Sequence, residues 1–228
     1  MSELELITIK PMTTQEAVSI TGGLSKTSKM PCKSINIPAQ ACHVGSKLVS
    51  VKGSVCEGCY ALKGFYRFSP VQKALNKRLN HLYQPKWVLA MSHLIRKDKF
   101  FRWHDSGDIQ SPMHLTNIME VSRITMHTKH WLPTREYGMV KDYVESGLLV
   151  PSNMYVRLSG LMVNGLPPTD LARKLNAFPN VEGFIGVSSV SNEHKESVDN
   201  CPAYNQGGKC GECRKCWTTH ENVTYPLH

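Results

Sequence analysis

Alternating strand-like and helix-like segments are the feature that most constrains the fold of this 228-residue chain. The predicted strands cover residues 33–38, 100–104, 130–133, 154–158 and 181–187. The predicted helices cover residues 71–94 with a break at Pro85, a segment opened by Ser111 and Pro112, residues 137–146 and residues 169–178. This alternation predicts an α/β fold with a parallel sheet, either doubly wound or closed into a complete or incomplete barrel. In both architectures, functional residues collect at the carboxyl ends of the strands.

The length and the cysteine content limit the classes of protein to which this chain can belong. We expect an N-terminal arm (residues 1–30), a β/α domain (31–200) and a cysteine-rich C-terminal segment (201–228) packed on that domain. No apolar run approaches the roughly 20 residues of a membrane span, and the polar start does not resemble a leader, so we expect a cytoplasmic protein without a membrane partner. In a reducing compartment, eight cysteines favour metal ligation over disulfides.

Three cysteines follow the first predicted strand in one glycine-containing loop. Cys42, Cys56 and Cys59 are spaced C-x13-C-x2-C. The closing C-x-x-C pair allows two thiolates to reach one metal site from a single turn. We therefore predict that these three residues bind a metal or an iron–sulfur cluster.

Four further cysteines lie near the C-terminus. Cys201, Cys210, Cys213 and Cys216 are spaced C-P-x7-C-x2-C-x2-C. Bacterial ferredoxins use such a run for a 4Fe–4S cluster, whereas zinc sites of four cysteines usually join two separated C-x-x-C pairs. Iron–sulfur binding, zinc binding and free thiols all remain open for this group.

The remaining cysteine, Cys32, precedes the first predicted strand, whereas Cys42 follows it. Six strand residues separate the two ends by roughly 20 Å. We therefore predict that Cys32 is a small buried hydrophobic residue outside both cysteine groups.

The loop that ends in Cys56-Glu57-Gly58-Cys59-Tyr60-Ala61 resembles the cluster loop of the radical SAM superfamily, and it is most similar to phage-encoded relatives with a C-x-x-C-Y-A motif. The resemblance spans roughly residues 33–217. It implies an incomplete parallel (β/α) barrel, one or two 4Fe–4S clusters, binding of S-adenosylmethionine, a reductant such as ferredoxin or flavodoxin, and a place in the cytoplasm of an infected host.

The same resemblance implies a set of cofactor-binding residues at predicted strand ends. The second strand runs into His104-Asp105-Ser106-Gly107-Asp108, where the family meets the amine of S-adenosylmethionine. The third strand ends in a Thr-Arg element, the fourth in a polar stretch near the ribose, and the fifth in a glycine-containing stretch near the adenine. The expected set is Tyr60, His104, Asp105, Asp108, Arg135, Arg157, Ser159 and Ser188.

Three functions are consistent with these features of the sequence. The first is a radical SAM-like enzyme that acts on an unidentified small molecule or nucleic acid. The second is a non-catalytic 4Fe–4S electron carrier or redox sensor. The third is a zinc-stabilised nucleic-acid-binding protein, because the net charge is +9 and its excess lies in the first half of the chain. The chain has no P-loop, nucleophile elbow or H-E-x-x-H motif, which argues against nucleotide hydrolysis and protease chemistry.

Overall fold

The computed structural model describes residues 11–193 and 200–227, so residues 1–10 of the expected arm, 194–199 of the expected domain and residue 228 lie outside the described residues. The strands are β1 (Ser25–Lys26), β2 (Lys33–Ile35), β3 (Phe100–Trp103), β4 (Lys129–Thr134), β5 (Met154–Val163), β6 (Phe184–Ser191) and β7 (Val223–Pro226). The helices are α1 (Thr14–Thr21), α2 (His43–Leu48), α3 (Ser69–His81), α4 (Trp87–Ile95), α5 (Pro112–Ile124), α6 (Tyr137–Glu145), α7 (Thr169–Asn176) and α8 (Lys215–Thr218).

The strands form one seven-stranded sheet in which spatial order follows chain order from β1 to β7. β1 pairs antiparallel with β2, and every later neighbouring pair is parallel. Helices connect β2 through β6, as parallel pairing requires. The α/β class and the parallel sheet predicted from the alternation are confirmed.

Local sequence signals explain the helix boundaries. Ser111 caps α5 by accepting a hydrogen bond from the His114 amide (3.1 Å), and Pro112 occupies the first turn. Pro85 falls between α3 and α4, where a break was predicted. Gly147 follows α6 with φ at +80°, a left-handed conformation that glycine adopts without steric cost.

The two faces of the sheet differ in composition because side chains alternate along each strand. The face toward the helices is apolar and fully buried, with Phe101, Trp103 and Leu132 at its centre. The opposite face, called the inner face below, carries Arg102, Trp131 and Arg157. The inner face therefore needs a polar and aromatic cover.

The C-terminal segment supplies that cover. Trp217 of α8 is buried, its ring lies 5.3 Å from that of Trp131, and its Nε1 donates to the Phe101 carbonyl (2.8 Å). β7 then extends the sheet beside β6. Burial of one tryptophan from α8 thus fixes the chain end against the middle of the sheet.

Within the expected N-terminal arm, residues 14–21 form α1. Thr13 and Glu16 make a capping box at its start, and Ala17 and Thr21 are fully buried. α1 packs mainly against α4. This part of the expected arm is thus a helix packed on the rest of the fold.

Candidate metal centre

The first cysteine group lies in the long loop between β2 and α3. Cys42 immediately precedes α2, and the Cys59 amide donates to the Cys56 carbonyl (3.1 Å) in a tight turn. A side chain at Gly45 would begin 3.6 Å from Cys42 Sγ and 3.7 Å from Cys56 Sγ. The two sulfur atoms therefore flank one glycine, and the absence of a side chain at Gly45 keeps the space beside both sulfurs open.

Backbone contacts fasten this loop over the carboxyl ends of β4 and β5. The Val55 amide donates to the Leu161 carbonyl (3.0 Å), and the Val44 amide at the start of α2 donates to the Glu136 carboxylate (2.9 Å). Glu136 directly follows the Thr-Arg element, and sequence analysis did not assign it a role. The loop thus meets the sheet at the edge where functional residues were expected.

Burial is the largest influence on the pKa values of Cys42 and Cys56 in the first cysteine group. The pKa of Cys42 is raised to about 12, chiefly by burial and to a smaller extent by the nearby Asp108 carboxylate and the Cys59 and Cys56 thiols, while Arg135 opposes the shift. Burial also raises the pKa of Cys56, where Arg135 is the largest opposing influence. These two thiols are therefore neutral near pH 7 unless a bound cation stabilises their thiolates.

Asp108 lies beside these thiols but its carboxylate is held by the protein. It accepts hydrogen bonds from Thr134 Oγ1 (2.6 Å), the Ile109 amide (2.8 Å) and the Arg135 amide (2.9 Å). Burial raises its pKa to about 6, and these three hydrogen bonds oppose that shift. Asp108 thus adjoins the group from the end of the second predicted strand, as expected, and also fixes the end of β4.

Asp105 ties the cysteine loop to the sheet. Its carboxylate accepts from Ser34 Oγ (2.7 Å), Asn36 Nδ2 (3.2 Å) and Tyr66 OH (2.9 Å). Its carbonyl accepts from the hydroxyl of Tyr60, the residue after Cys59. The two predicted site residues Tyr60 and Asp105 therefore meet, and their contact positions the loop.

His104 takes a different position from the one expected. Its ring packs against His114 of α5 at 5.3 Å between centroids, and both of its ring nitrogens are buried without a hydrogen-bond partner. Burial lowers its pKa well below the usual value, and His114 and Arg102 add to this shift. Its φ of +54° is strained for a non-glycine residue. The structure thus places His104 in the helix-side core.

Arg135 directly follows β4, and Ser159 and Ser188 are paired in register within the neighbouring strands β5 and β6. Arg135 Nε donates to the Gly160 carbonyl (3.4 Å), and Ser188 Oγ donates to Ser159 Oγ (3.2 Å). Arg135 also lowers the pKa of the half-buried Cys42 thiol and of the buried Cys56 thiol, so it lies near both the serine pair and the first cysteine group. These three predicted residues therefore lie near one another.

Arg157 has a structural environment in place of the expected cofactor contact. It is fully buried and donates to the carbonyls of Glu221 (2.6 Å), Lys215 (3.3 Å) and Thr219. All three acceptors belong to the C-terminal segment. Arg157 has these partners because it lies on the inner face that this segment covers.

The second cysteine group is built into the same segment. The Cys201 amide donates to the Thr224 carbonyl of β7 (2.8 Å), and the Cys213 amide donates to the Cys210 carbonyl (2.9 Å). Cys201 has Cys213 as an electrostatic neighbour, and Cys216 has Cys201. Tyr225 OH lies 3.2 Å from Cys216 Sγ. The four predicted ligands are thus brought together.

Arg102 stands between the two cysteine groups, and sequence reasoning gave it no role. Its electrostatic neighbours are Tyr60 and Asp105 at the first group and Cys216 at the second. Its Nη1 lies 3.3 Å from Met30 Sδ, while its buried Nε has no hydrogen-bond partner. The sequence of residues 100–103, Phe-Phe-Arg-Trp, could have indicated this position. Side chains alternate along a strand, so the arginine lies on the face opposite to Phe101 and Trp103.

All eight cysteines are free, and within residues 11–193 and 200–227 no three His, Cys, Asp or Glu side chains have the spacing expected around one metal ion. A zinc ion at about 2.3 Å from each sulfur draws its thiolates close together. A 4Fe–4S cluster binds each thiolate through a different iron, so its ligands lie farther apart. The residues of the first group fit a cluster by donor type, shared loop and access to a sheet edge.

A basic pocket of about 350 Å³ lies elsewhere, between α1, α4 and the start of the sheet. Its lining includes Lys26, Lys33, Arg96 and Lys97. Lys33 is paired with Asp98 at 3.0 Å. This pocket collects part of the positive charge seen in the first half of the sequence.

Comparison with family models gives one match, to the family described as Gene product 88, over residues 8–219. The chain belongs to the gene product 88 family. No curated protein and no solved structure matches it. The matched region of this gene product 88 family member includes the first cysteine group, Arg102 and the four C-terminal cysteines. The family description names no activity, so function rests on the site itself.

The helices of this gene product 88 family member were also compared with the length and apolarity of a membrane span. In the part of the chain that the structure describes, none is both long enough and apolar enough to cross a membrane.

Proposed function

We propose that this chain is a radical SAM-like iron–sulfur protein in which Cys42, Cys56 and Cys59 hold a 4Fe–4S cluster. The observation that carries the proposal is that these cysteines share one loop, fastened over the carboxyl ends of β4 and β5 beside Asp108 and Arg135. Three thiolates leave one iron of such a cluster without a protein ligand. That open position is what a cofactor-binding cluster needs.

A cluster of this kind supplies an electron for reductive cleavage of S-adenosylmethionine in the radical SAM superfamily. The protein's own residues would bind and orient that cofactor. Arg135 offers a guanidinium to a carboxylate, and the Ser159–Ser188 pair offers hydroxyls within the neighbouring strands β5 and β6. Tyr60, anchored on Asp105, holds the loop over the site. The reductant would be ferredoxin or flavodoxin, and the substrate a small molecule or a nucleic acid.

We further propose that the sheet is an incomplete barrel. Spatial order equals chain order from β1 to β7, whereas a doubly wound sheet reverses order at a switch point. Sequential parallel pairing is the order of a (β/α) barrel. The inner face then corresponds to the barrel interior, which the C-terminal segment fills.

The test is anaerobic purification with iron and sulfide analysis, followed by paramagnetic resonance of the reduced protein before and after addition of S-adenosylmethionine. We expect about four irons in the first centre, a spectrum changed by the cofactor, and release of 5′-deoxyadenosine or methionine. Cys56→Ala should abolish all three signals, whereas Ser50→Ala, an exposed change in the same loop, should leave them intact. An iron-free protein after anaerobic preparation, or no response to the cofactor, would contradict the enzyme.

A non-catalytic electron carrier is the second candidate, because Arg102 adjoins both cysteine groups. Two centres on either side of one buried cation suit electron storage as well as catalysis. Reversible reduction of the protein without consumption of S-adenosylmethionine would favour this candidate over the enzyme.

A zinc-stabilised nucleic-acid-binding protein is the third candidate, and the observation that favours it is the basic pocket. It requires zinc in place of iron after anaerobic preparation, and binding to nucleic acid that weakens steeply with salt.

A further inference from the structure

Cys32 lies against the C-terminal cysteine group although it is far from that group in sequence. It is 9% exposed and packs with Trp131 and Trp217, and Cys216 packs against the same three residues. The thiols of Cys210 and Cys216 are electrostatic neighbours of the Cys32 thiol. The prediction that Cys32 is buried is confirmed, but its surroundings include thiols as well as apolar side chains.

Backbone contacts hold the two segments face to face without using any thiol. The Cys210 amide donates to the Lys29 carbonyl (2.9 Å), which joins the C-terminal loop to the loop before β2. Thr27 Oγ1 donates to the Cys32 carbonyl (3.3 Å) and shapes that loop from within. Contacts that do not involve the thiols therefore bring Cys32 and the C-terminal cysteines to the same place in the fold.

Buried positive charge surrounds the same place. Arg157 and Arg102 both act on the Cys216 thiol, and Arg102 also acts on the Cys32 thiol. A metal centre with four thiolates carries net negative charge, which two buried guanidinium groups offset. The Tyr225 hydroxyl, 3.2 Å from Cys216 Sγ, is placed to donate a hydrogen bond to a bound thiolate.

We propose that Cys32 is a ligand of a second, closed metal centre that it builds with the C-terminal cysteines. Four of the five thiols bind a thiophilic metal, either a 4Fe–4S cluster or zinc. Unlike the first group, this set leaves no open coordination position, so the centre serves structure or electron transfer.

The experiment counts metal in a chain whose first centre has been removed by Cys42→Ala, Cys56→Ala and Cys59→Ala. Iron, sulfide and zinc are measured together, which distinguishes a cluster from zinc. We expect Cys32→Val, which keeps an apolar side chain, and Cys32→Ser, which keeps the size, each to lower the metal content at least fivefold. Met30→Leu is the matched control, because Met30 packs against the same group of buried side chains but has no thiol. This variant should keep its full metal content.

Alanine substitution of each of the five cysteines completes the design. One thiol of the five is spare, and the proposal requires that this is one of the four C-terminal residues. Full metal content in Cys32→Val and Cys32→Ser overturns it, as does a background chain that folds without any metal. If the background fails to fold, Cys32→Val in the otherwise unchanged chain should lose one zinc or one cluster and retain the response to S-adenosylmethionine. Retention of all its metal would overturn the proposal there too.

The metal analysis of the Cys32 variants can be interpreted whether or not the proposed function is correct. A protein that ignores S-adenosylmethionine still reports on Cys32 through its second centre, and a chain that loses the second centre still reports on the first.

Discussion

The guanidinium of Arg102 lies over the indole ring of Trp131, with 4.5 Å between its Cζ atom and the ring centroid. Both side chains lie on the inner face of the sheet, on neighbouring strands that pair in register at these residues. The stacking fixes the guanidinium between Tyr60 at the first cysteine group and Cys216 at the second. One buried cation therefore responds to a change of charge at either group.

Replacing Arg102 tests this position. Arg102→Leu removes the stacking, worth about 2 kcal/mol when desolvated, and the charge that Asp105 faces. We expect the free energy of unfolding to fall by about 2–4 kcal/mol, measured by urea denaturation. Arg96→Leu, an exposed change after α4, should stay within about 0.5 kcal/mol. Equal effects of the two substitutions would show that Arg102 is dispensable.

Two of the glycines in the cysteine loop, Gly45 and Gly58, allow a matched pair of substitutions. Gly45→Ala places a methyl 3.0 Å from Cys42 Cβ and near the two sulfurs, whereas Gly58→Ala meets no atom within 4 Å. We expect Gly45→Ala to lower the iron content of the first centre several-fold and Gly58→Ala to leave it unchanged. Because alanine favours a helix over glycine by about 1 kcal/mol, α2 should not lose stability. Normal iron in Gly45→Ala would argue against a cluster beside this residue.

Arg157 should hold the C-terminal segment in place. Arg157→Leu removes the donor to three carbonyls of residues 215–221 and leaves them without that partner. We expect faster amide hydrogen exchange at residues 200–227 and a loss of about 3 kcal/mol or more in stability. The comparison is Arg173→Leu, since Arg173 forms an exposed ion pair with Asp170 (2.8 Å) that contributes little. Unchanged exchange in Arg157→Leu would mean that β7 and Trp217 suffice.

The lowered pKa of the buried His130 should make the free energy of unfolding depend on pH. Burial lowers its pKa to about 3, with His127 adding to the shift and Thr125 opposing it, whereas an unfolded histidine titrates near about 6.5. Between these values only the unfolded chain takes up the proton, so the free energy of unfolding falls as pH decreases from about 6.5 to about 3, by up to about 1.4 kcal/mol per pH unit.

The measurement is the slope of stability against pH in the metal-free protein. His130→Gln should reduce this slope by about one proton, while the exposed His127→Gln should leave it nearly unchanged. Stability at neutral pH also falls in His130→Gln, because Trp103 Nε1 loses its acceptor (3.2 Å). A slope identical to that of the unchanged chain would mean that His130 is protonated in the folded state.

Local signals were enough to predict the alternating part of the fold. Pro85, Pro112 and Gly147 act on their own backbone, so they mark helix boundaries without knowledge of the tertiary structure. Hydrophobic alternation likewise located β3 and β4. The last predicted strand, residues 181–187, lies at 184–191 in the structure, because Gly183 belongs to a turn whose amide bonds the Val150 carbonyl (3.1 Å).

The candidate site was only partly predictable, for a physical reason. Cys42, Cys56 and Cys59 share one loop, so their grouping is visible in the sequence. Cys32 was judged by its distance from Cys42 along a strand, which ignored the chain that folds back onto the amino end of that strand. His104 and Arg157 were judged by position in the chain, whereas alternation across the sheet decides which side they face.

The hydrogen bond from the Cys210 amide to the Lys29 carbonyl joins an early part of the chain to a late one. During translation, Cys32 leaves the ribosome long before residues 200–227 are made, so its thiol has none of those four cysteine partners while the sheet assembles. If the proposed second centre forms, its metal can bind with all its ligands only after residues 201–216 have been made. A chain that ends before Cys201 would lack four of the five thiols of the proposed centre, and its inner face would lack the cover that Trp217 provides.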